Sequence, residues 1–141
     1  MTRSIITSVN AGVATLTLSQ PEIRNAFSDV VIAEITAAFA EVGQRDDVRA
    51  VVLAAEGPAF CAGANLNWMR AMADYTREEN LADAGKLAAM LHTIATCPHP
   101  TIARVQGDVY AGGMGLVAAC DMAVAVQEAH FCLSEVKIGL I

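Results

Sequence analysis

Ala50-Val51-Val52-Leu53-Ala54 is a continuous apolar run set between Asp46-Asp47 and Gly57-Pro58. A run this short, with no polar alternation, reads as a strand covered on both faces, as in a parallel sheet flanked by helices. The chain on either side supports that reading. Upstream, Ile5–Val9 and Val13–Leu18 are rich in β-branched residues and are separated by Asn10-Ala11-Gly12, a hairpin signal. Gln20-Pro21 ends the second run. Ser28 and Asp29 can open a helix whose apolar positions Val31, Ile35, Ala38, Phe39 and Val42 recur at three- and four-residue steps, with Gly43 near its end. Downstream, Thr76 with Glu79 forms a capping-box pattern for a helix reaching about Thr96, with Leu81, Leu87, Met90, Leu91 and Ile94 inside. Pro98 and Pro100 stop it. Thr101–Val105, Met122–Val126 and His130–Leu133 are further strand candidates, and Gly107–Gly115 is a glycine-rich turn into a short helix through Cys120. Strands alternating with helices indicate an α/β domain.

The 141 residues fit one domain, 1–141, without repeat, linker or low-complexity tract. Apolar residues make up 55% and charged residues 17%, with mean hydropathy +0.44, which excludes a disordered chain. Aromatics at 5% leave an aliphatic, alanine-rich core. A net charge of −6 lacks the basic footprint of a nucleic-acid binder. The most apolar stretch, Val109–Val126, is interrupted by Gly112, Gly113, Gly115, Cys120 and Asp121 and does not read as a membrane span. No apolar block of secretory length precedes Asn10, so the expected location is the cytoplasm. Cys61, Cys97, Cys120 and Cys132 show no C-x-x-C spacing and read as small apolar residues. His92, His99 and His130 show no metal spacing, so no metal site is expected. The chain stops on Lys137-Ile138-Gly139-Leu140-Ile141, an apolar end that reads as the front part of a longer sequence.

Two strand-to-helix junctions combine glycine with small neighbours: Ala62-Gly63-Ala64 and Ala111-Gly112-Gly113-Met114-Gly115. Glycine lets a ligand approach the backbone, and a helix start leaves N–H groups that favour negative charge. Two such junctions side by side can aim one N–H each at a single oxygen and stabilise an oxyanion or enolate. The plainer alternative is that these glycines serve tight turns and close packing. Neither junction is a dinucleotide fingerprint, no Walker lysine follows, and no G-x-S-x-G elbow occurs. Glu135, flanked by Leu133 and Val136 after a strand candidate, is a carboxylate in apolar surroundings, the setting that suits proton transfer; a surface glutamate at a strand end is the alternative. Asp121 reads as a turn residue. Trp68, Met69 and Met72 suit either the floor of a lipid-like pocket or the core.

Phe60-Cys61-Ala62-Gly63-Ala64-Asn65-Leu66, Pro100–Gly107, Ala111-Gly112-Gly113-Met114-Gly115-Leu116 with Cys120-Asp121, and Arg24-Asn25-Ala26-Phe27 together resemble the enoyl-CoA hydratase/isomerase (crotonase) family, in order and spacing through essentially the whole chain. The resemblance implies a spiral of ββα units and an acyl-CoA thioester substrate, with coenzyme A carried by the substrate and no separate cofactor. It assigns oxyanion-hole N–H groups to Ala64 and Gly112 and the catalytic glutamate to Glu135. It places Arg24, Ala26, Ala62, Gly63, Asn65, Leu66, Gly113 and Gly115 along the CoA and acyl channel, and it implies a homo-oligomer, trimer or hexamer, for a full-length chain. The family's C-terminal helical region does not follow Ile141, and a core without that cover would expose an apolar patch.

Two departures matter. Gly115 stands where typical hydratases carry the first of two glutamates, which leaves Glu135 to do both proton transfers or to be helped by another group, or else implies a double-bond isomerase with one base. It also suggests room for a branched acyl group. Asn65 stands where the family usually has aspartate. Asn65–Met69, Glu79–Ala84, Gly115–Ala118 and Leu133–Val136 are similar to a bacterial branch that includes methylglutaconyl-CoA and isohexenylglutaconyl-CoA hydratases. A non-catalytic fragment is the alternative from another class. CoA phosphates facing an acidic chain need local cations, with Arg24 the best placed and Lys86, Arg104 and Lys137 behind it.

Overall fold

A computed structural model describes residues 4–139. The Leu140-Ile141 end discussed above lies outside the described residues, as do residues 1–3. β1 (Ile5–Asn10) and β2 (Val13–Leu18) form the expected antiparallel hairpin. Ala11 and Gly12 both take positive φ, 49° and 81°, giving the turn whose twist matches its flanking strands. α1 (Asp29–Gly43) follows, with Val31, Ile32, Ile35, Ala38, Phe39 and Val42 buried. Ser28 sits at its N-cap position, but its side chain makes no capping bond.

β3 (Ala50–Ala55) then leads to β4 (Ala59–Cys61), α2 (Leu66–Met72) and α3 (Arg77–Ala95). β5 (Thr101–Val105), β6 (Asp108–Tyr110) and α4 (Gly113–Ala119) repeat the pattern, and β7 (Met122–Ala125), β8 (Phe131–Cys132) and a 3₁₀ turn (Ser134–Ile138) repeat it again. The strands fall into two sheets, β1-β2-β3-β5-β7 and β4-β6-β8. Apart from the hairpin, every strand pairing among the described residues is parallel. From β3 onward, each turn of the chain sends its first strand to the large sheet and its second to the small one. This is an α/β coil of ββα units.

The core is aliphatic. Ala14, Leu16, Val51, Leu53 and Ala103 of the large sheet pack with Ile35, Phe39, Phe60, Met90, Ile94 and Leu116, all at most 1% exposed. Side chains of the size of Leu, Ile and Phe, fully buried, each contribute about 1.5–3 kcal/mol of transfer free energy. The capping box at α3 forms in full: Thr76 Oγ1 accepts from Glu79 N at 3.2 Å and Glu79 Oε2 accepts from Thr76 N at 2.8 Å. Asp121 is the turn residue its position suggested, since its Oδ2 accepts from Thr101 N at 2.7 Å and from Thr101 Oγ1 at 2.9 Å. Those bonds hold its carboxyl below the usual aspartate range.

The structure departs from the sequence reading in four places. β3 is covered on both faces but unevenly: Val51 and Leu53 on one face and Ala54 on the other are buried, while Val52 is half-buried. β4 and β6, three residues each, are too short to show a periodic pattern: the sequence offers no strand signal between the Gly57-Pro58 break and Ala62, and Gly107–Gly115 reads as a turn. Leu81 is 65% exposed, since α3 enters the core only from Leu87 onward. All four residues of β7 are exposed. Met122 and Val124 there, with Val126, Phe131, Leu133 and Val136, concentrate exposed apolar surface at one edge of the coil. Among the described residues no helix is long and apolar enough to cross a membrane.

Candidate active site

Ala64, Gly112 and Glu135 all lie just beyond the C-terminal ends of adjacent parallel strands. Ala64 follows β4 by three residues, Gly112 follows β6 by two, and Glu135 follows β8 by three. Ligands gather at the carboxyl ends of parallel strands because the chain there turns into helix starts with free N–H groups. All three residues line one cavity of about 330 Å³, together with Phe27, Ala62, Leu66, Ala111, Ser134 and an apolar wall of Trp68, Met69, Met72 and Leu87.

The first junction is held from below by Arg24–Phe27. Arg24 O accepts from Ala62 N, Phe27 N donates to Gly63 O, and Asn65 N donates to Phe27 O, each at 2.9 Å. This ladder uses the N–H groups of residues 62 and 65 and leaves that of Ala64 without an acceptor among the described residues. Gly63, at φ 83°, makes the turn and lets the second junction close in: a Cβ there would stand 2.7 Å from Ala111 Cβ and 3.4 Å from Gly112 N. Gly112 N–H likewise has no acceptor among the described residues. The second junction is tied to the third strand exit by Ala111 N donating to Cys132 O at 2.8 Å.

Strain collects here. Of four non-glycine residues with positive φ among the described residues, Ala111 lines the cavity and Arg24 and Asn25 belong to the segment that holds its first junction, and such conformations persist where neighbours over-determine them. Asn25 is the anchor: it is 3% exposed, its Oδ1 accepts from Gln20 N at 2.9 Å, and its Nδ2 donates to Glu56 O at 2.8 Å and Ala59 O at 3.1 Å. Two cavity-wall atoms are buried and unpartnered among the described residues, Glu135 Oε2 and Trp68 Nε1. Unpaired buried polar atoms are uncommon enough in native structures to call for a reason.

A second cavity of about 450 Å³ shares Ala62, Ala64 and Leu66 with the first and extends past Ala26, Asn65, Asn67 and Arg70. The two cavities form one groove with an apolar end and a polar end, and Ala64 lies between them. Asn65 caps α2, its Oδ1 accepting from Asn67 N at 2.9 Å and Trp68 N at 3.3 Å. Asparagine and aspartate cap a helix about equally well, so the departure at this position leaves the local structure intact.

Ala26, Ala62, Ala64, Asn65, Leu66, Gly112 and Glu135 each line one or both of the cavities that make up this groove. Gly63 is buried directly beneath it. Three expected residues lie elsewhere. Gly113 is buried against Cys61, where a Cβ would meet Cys61 Cβ at 2.9 Å, so it serves close packing. Gly115 faces α3, where a Cβ would lie 3.4 Å from Leu91 Cδ2, and it adds no volume to either cavity. Arg24 lends its carbonyl to the ladder but lines neither cavity. The cation on the polar end is Arg70, which sequence reasoning missed; its Nη1 donates to Asn67 Oδ1 at 3.2 Å. The i, i+3 spacing of Asn67 and Arg70 on a helix capped by Asn65 was the available signal.

The family model described as enoyl-CoA hydratase/isomerase matches residues 8–141. A protein of Thermus thermophilus provisionally named an enoyl-CoA hydratase is 39% identical over 129 residues, covering 92% of this chain and 51% of its own length. The mitochondrial Delta(3,5)-Delta(2,4)-dienoyl-CoA isomerase of Mus musculus is 32% identical over 146 residues, covering 96% of this chain and 44% of its own. The crystal structure of an enoyl-CoA hydratase from Shewanella pealeana superposes with a TM-score of 0.95 at 40% identity, over 98% of this chain and 52% of that one. The chain thus spans about half the length of the relatives it matches. It has the crotonase fold and belongs to the enoyl-CoA hydratase/isomerase family.

Proposed function

We propose that this chain carries the acyl-CoA site of an enoyl-CoA hydratase, with the N–H groups of Ala64 and Gly112 receiving the thioester oxygen and Glu135 moving the protons. The observation that supports this reading is the convergence of those three groups on one cavity, with both N–H donors and Glu135 Oε2 lacking partners among the described residues. The apolar wall of Trp68, Met69 and Met72 suits the acyl chain, and the polar end with Asn67 and Arg70 suits the pantetheine and phosphates. Coenzyme A then arrives as part of the substrate, and no separate cofactor is needed.

In hydration, Glu135 takes a proton from water as the water oxygen bonds to C3 of the 2-enoyl thioester. The C2–C3 π electrons move toward the thioester, and its oxygen becomes enolate-like between the two N–H donors. Losing one such donor typically costs about 2.7–4 kcal/mol of barrier. The enolate then takes the proton at C2 from Glu135, so the net change is addition of one water. Glu135 acts in both steps because no second carboxylate among the described residues lines this cavity.

That same single carboxylate favours one other reading, isomerisation, in which Glu135 removes a proton from C2 of a 3-enoyl thioester and returns it at C4. The Mus musculus relative's name is in keeping with it. Assays on crotonyl-CoA, 3-methylglutaconyl-CoA and a 3-enoyl-CoA separate the two; turnover of the 3-enoyl compound alone rejects the hydratase. Turnover of 3-methylglutaconyl-CoA would support the branched-substrate branch and a place in leucine breakdown. Glu135→Gln is expected to abolish turnover while leaving CoA-ester binding intact, and an unchanged rate removes Glu135 from the mechanism. A cytoplasmic trimer or hexamer goes with this reading, and sedimentation of the purified protein tests the assembly.

A further inference from the structure

The two N–H donors belong to separate turns of the coil, so a group that touches both turns can set their spacing. Cys61, the last residue of β4, does so. Its Sγ accepts the Gly63 N–H at 3.4 Å, within the first junction, and donates to Asn25 O at 3.2 Å. On its other side it faces Gly113, the residue after the second donor, where an added Cβ would stand 2.9 Å from Cys61 Cβ, 2.9 Å from its carbonyl oxygen and 3.1 Å from Sγ. One side chain is therefore hydrogen-bonded to the first junction and packed without slack against the second. It is fully buried and lines neither cavity, so it does not touch substrate. Burial pushes its thiol up to about 11, which keeps it an S–H donor at neutral pH.

We propose that Cys61 is a positioning residue that sets the separation of the Ala64 and Gly112 N–H groups. This rests on the assignment of those two groups to the thioester oxygen. Small errors at such a site are costly, because a displacement of about 1 Å away from productive geometry can lower a rate about 100-fold. Loss of the thiol is expected to slow chemistry and leave substrate affinity nearly unchanged, since the donors gain most of their hold only as charge develops.

The test pairs crotonyl-CoA hydration with the infrared carbonyl band of bound butyryl-CoA carrying a ¹³C thioester carbonyl. In the unaltered protein the band is expected to shift to lower frequency on binding; no shift there refutes the N–H assignment itself, whatever Cys61 does. Given the shift, Cys61→Ala is expected to lower kcat by about 10-fold or more with KM within about twofold, and to return the band toward its solution value. Cys61→Ser keeps a donor and an acceptor and is expected to recover most of both. Phe39→Leu, in the core and away from the groove, serves as a comparably destabilised control expected to keep kcat and the band. Unchanged kcat and band in Cys61→Ala, equal losses in Phe39→Leu, or no recovery in Cys61→Ser each overturn the proposal. If Cys61→Ala fails to fold, Gly113→Ala crowds the same contact from the other side. A band shift with KM preserved is then expected, and an unmoved band overturns the proposal.

Discussion

Replacing Gly112 by alanine adds one methyl group where the structure has no room. An ideal Cβ at residue 112 would lie 2.6 Å from Phe27 Cζ, with Cε1 and Cε2 at 3.4 and 3.6 Å. Carbon atoms attract best at about 3.5–4 Å, so the pair must separate by roughly 1 Å. Phe27 cannot yield easily. It is 2% exposed, its backbone carries the ladder to residues 63 and 65, and its ring meets Trp68 at 6.5 Å between centroids. Overpacking of this kind costs about 1–3 kcal/mol, read as a lower urea midpoint at unchanged m. The displacement falls on the junction that carries one N–H donor, so kcat for enoyl-CoA hydration is expected to fall by about 100-fold. Adding Phe27→Leu opens space for the methyl, and the double variant should be less destabilised than the two single losses summed. Wild-type stability and kcat in Gly112→Ala would refute the reasoning, as would strict additivity with Phe27→Leu.

Three further outcomes are expected. Thr76→Ala removes one half of the capping box and lowers stability by about 0.5–2 kcal/mol, measured by urea denaturation. Trp68→Phe keeps a ring against Phe27 and deletes a buried N–H that has no acceptor among the described residues, so stability should hold or rise by about 1 kcal/mol. Asp121 is held below the usual carboxylate range by Thr101, so its contribution to stability is full above the unfolded-state value and is lost as pH falls through that range toward the folded value. Asp121→Asn should therefore flatten the acid limb of a melting-temperature profile, and an identical acid limb would contradict the Thr101 assignment.

The large sheet and the long helices were legible because their signals are local. The hairpin needed only Ala11-Gly12 between β-branched runs, and α3 needed only Thr76, Glu79 and the apolar steps beyond them. β4 and β6 were not legible, since three residues cannot establish a period, yet their exits carry the candidate site. Leu81 misled because helical spacing shows which face is apolar but not how far along the helix the core extends. For Ala64, Gly112 and Glu135, the residues alone supplied glycine-rich junctions and a carboxylate among apolar neighbours. Their convergence depends on pairing between strands far apart in sequence, which composition and period do not report. The resemblance supplied it. Arg24 and Arg70 show the same limit, because charge is visible in a sequence whereas the direction of a side chain is not.

The division of labour between the two sheets has an evolutionary consequence. The five-stranded sheet holds much of the aliphatic interior, while the groups assigned to chemistry stand just past the ends of three very short strands in the other sheet. A lineage can therefore alter what is transformed by exchanging a handful of residues at those three exits, leaving the scaffold that supports them untouched.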